Sequence, residues 1–182
     1  MDLEKLLKDL RVLQEGHFVL NSGLHSEYYF EKFRILENPD AASKLCSMIV
    51  EKFQTRDIDW VIGPTTGGII IAFEVARQMD KLAGFAEERE GKRIVGRGFD
   101  IKDRKVLIVD DVMTTGKSLL ETIDAVKEKG GEIVGIAVLI DRSHIELPFE
   151  YYATYRKFVE NYEPTVCPLC KKNITITKPG GV

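Results

Sequence analysis

Apolar residues recur along this chain in two periods, and the switching between them divides it into strand and helix units. Leu3, Leu6, Leu7, Leu10 and Leu13 fall at helical spacing, which predicts an amphipathic helix ending near Gly16. Phe18-Val19-Leu20, a turn at Asn21-Ser22-Gly23 and Tyr28-Tyr29-Phe30 then predict a hairpin. Asn38-Pro39 reads as a cap followed by proline at the first helical position, and Ala42, Leu45, Cys46, Ile49 and Phe53 line one face of the helix it opens. Residues 58–62 predict a short strand, followed by the turn Gly63-Pro64-Thr65-Thr66-Gly67-Gly68 and an apolar helix over 69–79. A third strand is expected over 82–86 and a solvated hairpin over the charged run 87–99. Val106, Leu107, Ile108 and Val109 are consecutive and mostly β-branched, the mark of a strand buried on both faces, and Leu119, Leu120, Ile123 and Val126 return to helical spacing. Gly130-Gly131 stops that helix, 133–140 is another buried strand, and 151–162 reads as an edge strand. Strands alternating with helices imply an α/β fold: one domain over 1–182, a mainly parallel central sheet flanked by helices, its core at 56–142 and an extension at 163–182.

Composition narrows the setting. With 182 residues, 44% hydrophobic and 30% charged, the chain can bury a sizeable core. A net charge of −3 gives no electrostatic footprint for nucleic acid, which is not expected as a partner. Met1-Asp2-Leu3-Glu4-Lys5 carries acids where a signal peptide would be basic, and no apolar stretch is long enough to span a bilayer. A cytoplasmic location with no membrane partner is therefore expected. Three cysteines argue against a disulfide framework, and Cys46 sits on the apolar stripe of its helix as a core residue.

The candidate chemistry lies between residues 110 and 118. Asp110 and Asp111 end a parallel strand, where open α/β sheets bind ligands. Thr114, Thr115 and Ser118 then offer hydroxyls, and Gly116 and the backbone N–H groups of a helix start favour an anion. Gly116-Lys117-Ser118 looks like the end of a Walker A loop, but that motif needs glycine where Asp111 stands, so ATPase chemistry of that kind is not expected. The glycine turn at 63–68 could likewise approach an anion closely.

Residues 106–118 resemble the phosphoribosyl-diphosphate (PRPP) signature of the type I phosphoribosyltransferases: an apolar strand, two acids and a Thr-Thr-Gly loop. The resemblance implies that Asp110 and Asp111 contact the ribose hydroxyls, and that Val112, Met113, Thr114, Thr115, Gly116, Lys117 and Ser118 hold the 5-phosphate. It implies that Thr65, Thr66, Gly67 and Gly68 cradle the diphosphate. Phe18 to Gly23 and Ser26 to Phe30 are similar to the N-terminal hood (1–36) of orotate phosphoribosyltransferases, which covers the pyrimidine and here would use Tyr29 and Phe30. Asn21 stands where that family commonly has lysine. Arg142, at the end of a strand, matches the arginine that reads the orotate carboxylate, and Thr114 the loop threonine that touches orotate. The run 87–99 corresponds to the family's mobile catalytic loop. No histidine lies between His25 and His144, so Arg89 and Lys92, with Arg93 and Arg97, are left as its cations. A terminal Cys-Pro-Leu-Cys and Lys-Pro-Gly resemble the Thermus-type clade of the family.

The resemblance implies an enzyme: Mg²⁺-dependent transfer of ribose 5-phosphate from PRPP to orotate in pyrimidine (UMP) biosynthesis, carried out by a homodimer. Two alternatives stand beside it, a phosphoribosyltransferase for another base such as a purine, and a PRPP-binding regulator without catalysis. Cys167 and Cys170 supply two of the four ligands that structural zinc needs, the others falling to a second subunit or to His17, His25 or His144. The residues alone favour inert or structural thiols over zinc, and a redox pair least.

Overall fold

The computed structural model describes residues 2–143 and 147–179. The elements in chain order begin with α1 (Leu3–Asp9), β1 (Leu13–Val19), β2 (His25–Phe30), α2 (Phe33–Leu36) and α3 (Pro39–Phe53). They continue with β3 (Trp60–Pro64), α4 (Gly67–Met79), β4 (Leu82–Arg89), β5 (Lys92–Ile94), β6 (Lys105–Met113) and α5 (Lys117–Glu128). The last are β7 (Glu132–Asp141), β8 (Tyr152–Arg156), β9 (Asn161–Tyr162) and α6 (Pro168–Lys171). They fall into two compact units, Asn38–Arg156 and the pair of chain ends Met1–Glu37 and Lys157–Val182. Among the described residues no helix is long and apolar enough to cross a membrane.

The larger unit is built on a six-stranded sheet of order β5-β4-β3-β6-β7-β8. Every pairing is parallel except β4 with β5. Val106, Leu107, Ile108 and Val109 at its centre are fully buried, and each such side chain contributes roughly 1.5–3 kcal/mol. The two-residue period of the strand sends Val106 and Ile108 into a cluster with Leu119, Ile123 and Val126 of α5. On the other face Leu107 lies beside Gly135, where a Cβ would stand 2.4 Å from the Phe53 ring of α3. Glycine in β7 therefore makes room for that ring. Asn38 caps α3 as its sequence predicts, accepting the Ala41 N–H with its side chain.

The smaller unit holds a three-stranded sheet, β1-β2-β9. Here the expected first helix is too long: α1 stops at Asp9, and Leu13 and Gly16 belong to β1. The chain leaves α1 through Arg11, at φ 57°, with the Arg11 N–H donating to Lys8 O (2.9 Å) and the Val12 N–H to Leu7 O (2.8 Å). That is a Schellman ending with arginine where glycine usually signals it, and the buried pair Leu7 and Val12 provides the apolar contact that goes with it. The hairpin is as expected, with longer strands. The 151–162 run divides: β8 joins β7 at the edge of the large sheet, while β9 pairs with β2.

Candidate active site

Strand order fixes where a ligand can sit. From β3 the chain moves through α4 to β4 on one side, and from β6 through α5 to β7 on the other. The two connections diverge between adjacent strands, and the crevice outside the carboxyl ends of β3 and β6 is the switch point that open α/β sheets use for binding. The β3–β6 ladder ends at Ile62–Ile108, two residues short of Pro64 and Asp110. Both expected anion loops, 65–68 and 112–118, leave from there.

Each loop is shaped by glycine. Gly116 adopts φ 70° and opens α5, and residues Val112 to Leu119 line a small cleft together with Asp110. The first N–H groups of a helix lack intrahelical acceptors, so this turn presents donors to an anion. In the other loop a Cβ on Gly63 would lie 2.0 Å from Gly68 O, and one on Gly68 would lie 2.6 Å from Pro64 Cδ. Only glycines allow that packing, and the Thr65–Thr66 peptide within it is cis.

The acids stand between the loops, at 8% and 3% exposure. Asp110 Oδ1 accepts the Asp111 N–H (2.8 Å), and Asp111 Oδ1 accepts that of Val112. Main-chain donors thus fix both carboxylates at the strand end. Thr114 lies in the cleft-lining turn, and the Arg142 N–H donates to Met113 O at 3.1 Å, which sets Arg142 beside that turn. Lys117 is exposed and pairs with Glu121. A larger cavity of about 590 Å³ between α3, β7 and β8 opens at the amino-terminal half of β7, away from the carboxylates.

The run 87–99 forms the hairpin of β4 and β5, and its cations have partners. Arg89 and Arg97 both pair with Glu87 (2.7 and 2.8 Å), whose carboxyl is held below its ordinary range chiefly by the Arg97 hydrogen bonds. Lys92 pairs with Glu128 at the far end of α5 from Lys117, roughly 16 Å along the helix. Neither Arg89 nor Lys92 is brought to Asp110 or Asp111 by a described contact. Arg93 behaves differently. It is buried and donates to Ala86 O (3.0 Å) and Thr65 Oγ1 (3.4 Å), with Glu121 at 3.3 Å, so it braces the first anion loop against α5. In the sequence it stands only as one of four cations of a charged run, with nothing to separate it from Arg89, Lys92 and Arg97. Asp141 has no sequence signal of its own: it accepts from Ser143 and from the Tyr151 hydroxyl (2.6 Å), shaping the turn that carries Arg142. Burial, then the Asp141 carboxylate, raises the Tyr151 phenol above its ordinary value.

Tyr29 and Phe30 lie on β2 in the smaller unit, where Phe30 is buried and the Tyr29 ring packs on Phe18 at 5.7 Å. Cys167 and Cys170 lie in the same unit, beside His17 and His25. His144 is outside the described residues, as is Gly180 of the terminal Lys-Pro-Gly.

The sequence profile of the phosphoribosyl transferase domain matches residues 34–167. An orotate phosphoribosyltransferase of Carboxydothermus hydrogenoformans is 44% identical, over 99% of this chain and 97% of its own. This chain belongs to the orotate phosphoribosyltransferase family. Two solved members of that family superpose well on it. The enzyme from Aeropyrum pernix is 27% identical at a TM-score of 0.69, covering 85% of this chain and 93% of its own. The Mycobacterium tuberculosis enzyme in complex with PRPP is 25% identical at a TM-score of 0.68, covering 85% and 94%. As in the expectation from sequence, this family member has the α/β fold with a mainly parallel sheet.

Proposed function

We propose that this chain transfers the 5-phosphoribosyl group of PRPP to N1 of orotate, giving orotidine 5′-monophosphate and diphosphate for pyrimidine synthesis. The observation that carries the reading is the meeting of two glycine-shaped anion loops and a carboxylate pair at one switch point, in a chain matched over its length by orotate phosphoribosyltransferases. PRPP has an anionic group at each end and a diol between them, which fits that order of parts. The turn at 112–118 receives the 5-phosphate, Asp110 and Asp111 accept the ribose hydroxyls, and 65–68 receives the diphosphate.

As the bond from C1 to the diphosphate oxygen breaks, the oxygen keeps the electron pair and C1 becomes oxocarbenium-like; orotate N1 gives C1 the pair for the new bond, and the N1 proton leaves to solvent or to the released diphosphate. The acids stabilise the cationic sugar, and the backbone N–H groups of 66–68 stabilise the leaving anion, that of Thr65 being given to Ala86 O. Arg89 and Lys92 join them on loop closure, each exchanging a surface ion pair, with Glu87 and Glu128 respectively, whose strength is screened by solvent. Arg142 reads the orotate carboxylate, for which a planar guanidinium is suited, and Thr114 touches the base. The donor set at the strand end is all oxygen, which fits the hard cation Mg²⁺. When bound, Mg²⁺ neutralises charge on the diphosphate. A homodimer and a cytoplasmic setting complete the reading.

The test is loss of orotate ultraviolet absorbance with PRPP and Mg²⁺. Wild type turns over; Asp110→Asn lowers kcat/KM by about 10²–10³-fold, and Arg142→Ala raises the KM for orotate about tenfold or more. Turnover with a purine base instead of orotate overturns the base assignment. No turnover with any base leaves a PRPP-binding regulator.

A further inference from the structure

His17 and His25 are separated in sequence from Cys167 and Cys170 by some 150 positions, yet their ligand atoms all lie within 4.8 Å of one another. Hairpin geometry brings the histidines together. Val19 pairs with His25, and His17, two residues before Val19, shares its face of the sheet. A bulge between Glu15 and Phe18 further turns the strand at His17. The cysteines arrive with the C-terminal segment, which runs along both edges of the hairpin: β9 beside β2, and Thr177 beside β1, exchanging hydrogen bonds with Val19 and His17.

The separations match a metal site. Tetrahedral zinc with bonds of about 2.0–2.1 Å to nitrogen and 2.3 Å to sulfur sets its ligand atoms about 3.4–3.8 Å apart. The sulfur–nitrogen distances are 3.3 Å for Cys170 and His25, 3.6 Å for Cys167 and His17, and 3.7 Å for Cys170 and His17. His17 Nε2 and His25 Nδ1 stand 2.8 Å apart, and small side-chain rotations would open them by about half an ångström to admit an ion. One imidazole is also already oriented for a metal. His17 Nδ1 lies 2.8 Å from Ile174 O, so Nδ1–H donates there and Nε2 turns its lone pair to the cluster, the usual way a metal-binding imidazole is oriented.

We propose that His17, His25, Cys167 and Cys170 bind one Zn²⁺ that fastens the C-terminal segment to the β1–β2 hairpin. Two nitrogens and two sulfurs in tetrahedral reach select zinc over the oxygen-seeking cations. Four protein ligands close the coordination sphere, so the site is structural and leaves no position for substrate. Binding releases the two thiol protons, and two thiolates with two neutral imidazoles make the complex electrically neutral. That suits its setting, where Cys167 is fully buried and His17 is 1% exposed. The competing reading is a metal-free cluster in which the imidazoles hydrogen-bond and the thiols stay reduced or pair as a disulfide.

Metal analysis of the full-length protein, purified without chelator, distinguishes them. About one zinc per chain is expected, together with the visible bands of tetrahedral thiolate-bound Co²⁺ when stripped protein is titrated with that ion. Cys167→Ser and His17→Ala lower the zinc content about tenfold or more, whereas His25→Cys, which supplies a third thiolate, retains it. Should the first two variants fail to fold, the wild-type Co²⁺ spectrum and His25→Cys still decide. Wild type without zinc and without a tetrahedral Co²⁺ spectrum overturns the proposal, as does a native Cys167–Cys170 disulfide or zinc that persists in every ligand variant.

Discussion

Arg93 shows what one side chain can do inside a charged run. Its neighbours Arg89, Lys92 and Arg97 hold exposed ion pairs, each of little worth to stability. Arg93 is buried, and its guanidinium ties together Ala86 of β4, Thr65 of the loop after β3 and Glu121 of α5. Removing it leaves those groups without a shared donor, and Arg93→Ala should lower unfolding stability by about 1–3 kcal/mol. Arg93→Lys should recover only part of this, since a point ammonium cannot replace the fork. Urea midpoints measure both, and an alanine variant as stable as wild type would refute the bracing role. Cys46 makes a second case. Burial first, and the Glu74 carboxylate second, push its thiol up to about 12. At pH 8 it should resist alkylation until the chain unfolds, which mass spectrometry of iodoacetamide-treated native protein checks.

Between elements, Glu74 on α4 is the clearest pH-sensitive contact. It accepts two hydrogen bonds from Arg77 and one from Gln78, and Gln78 in turn donates to Ser43 of α3. Chiefly through the Arg77 hydrogen bond, its carboxyl falls from 4.5 to about 2. A lowered folded value means the contribution is complete above about pH 4.5 and fades as pH falls towards 2. Because Arg77 is largely exposed, screening leaves about 1–2 kcal/mol. Glu74→Gln should therefore cost that amount near neutrality, with the two stability curves converging in acid; a difference independent of pH would count against it. The elements themselves differ in how far sequence betrays them. Helices α1 and α5 end in the same motif: Gly130 donates to Lys127 O and Gly131 to Val126 O (both 2.9 Å), as Arg11 and Val12 do to Lys8 and Leu7. Gly130-Gly131 announces the end of α5, while Arg11 conceals that of α1, so Leu13 passes for a further helical turn. In the site, the acids and both loops were legible because each is one contiguous motif on a strand end. Arg93, Asp141 and the meeting of His17 and His25 with the cysteines depend on tertiary pairing, which no local period encodes.

At the scale of the whole molecule the two units rest on different physics. In the larger one β6 is hydrogen-bonded on both sides, to β3 and β7, and its centre is fully buried. Its amides can exchange only when that unit opens as a whole. The smaller unit takes about a third of the chain from two distant ends and joins them through a β9 ladder of two residue pairs and a single bridge from Thr177 to β1, a size at which a core alone supplies little stability and cross-links matter. Native-state hydrogen exchange should therefore find the amides of β1, β2 and β9 less protected than those of β6, by a factor on the order of 100 or about 2.7 kcal/mol. If zinc ties the hairpin to the tail, a strong chelator should widen this gap by speeding exchange around 13–30 and 161–177 while leaving β6 unchanged. Equal protection in both units would mean they open together, and faster exchange of β6 under chelation would mean the metal supports the larger unit rather than its own.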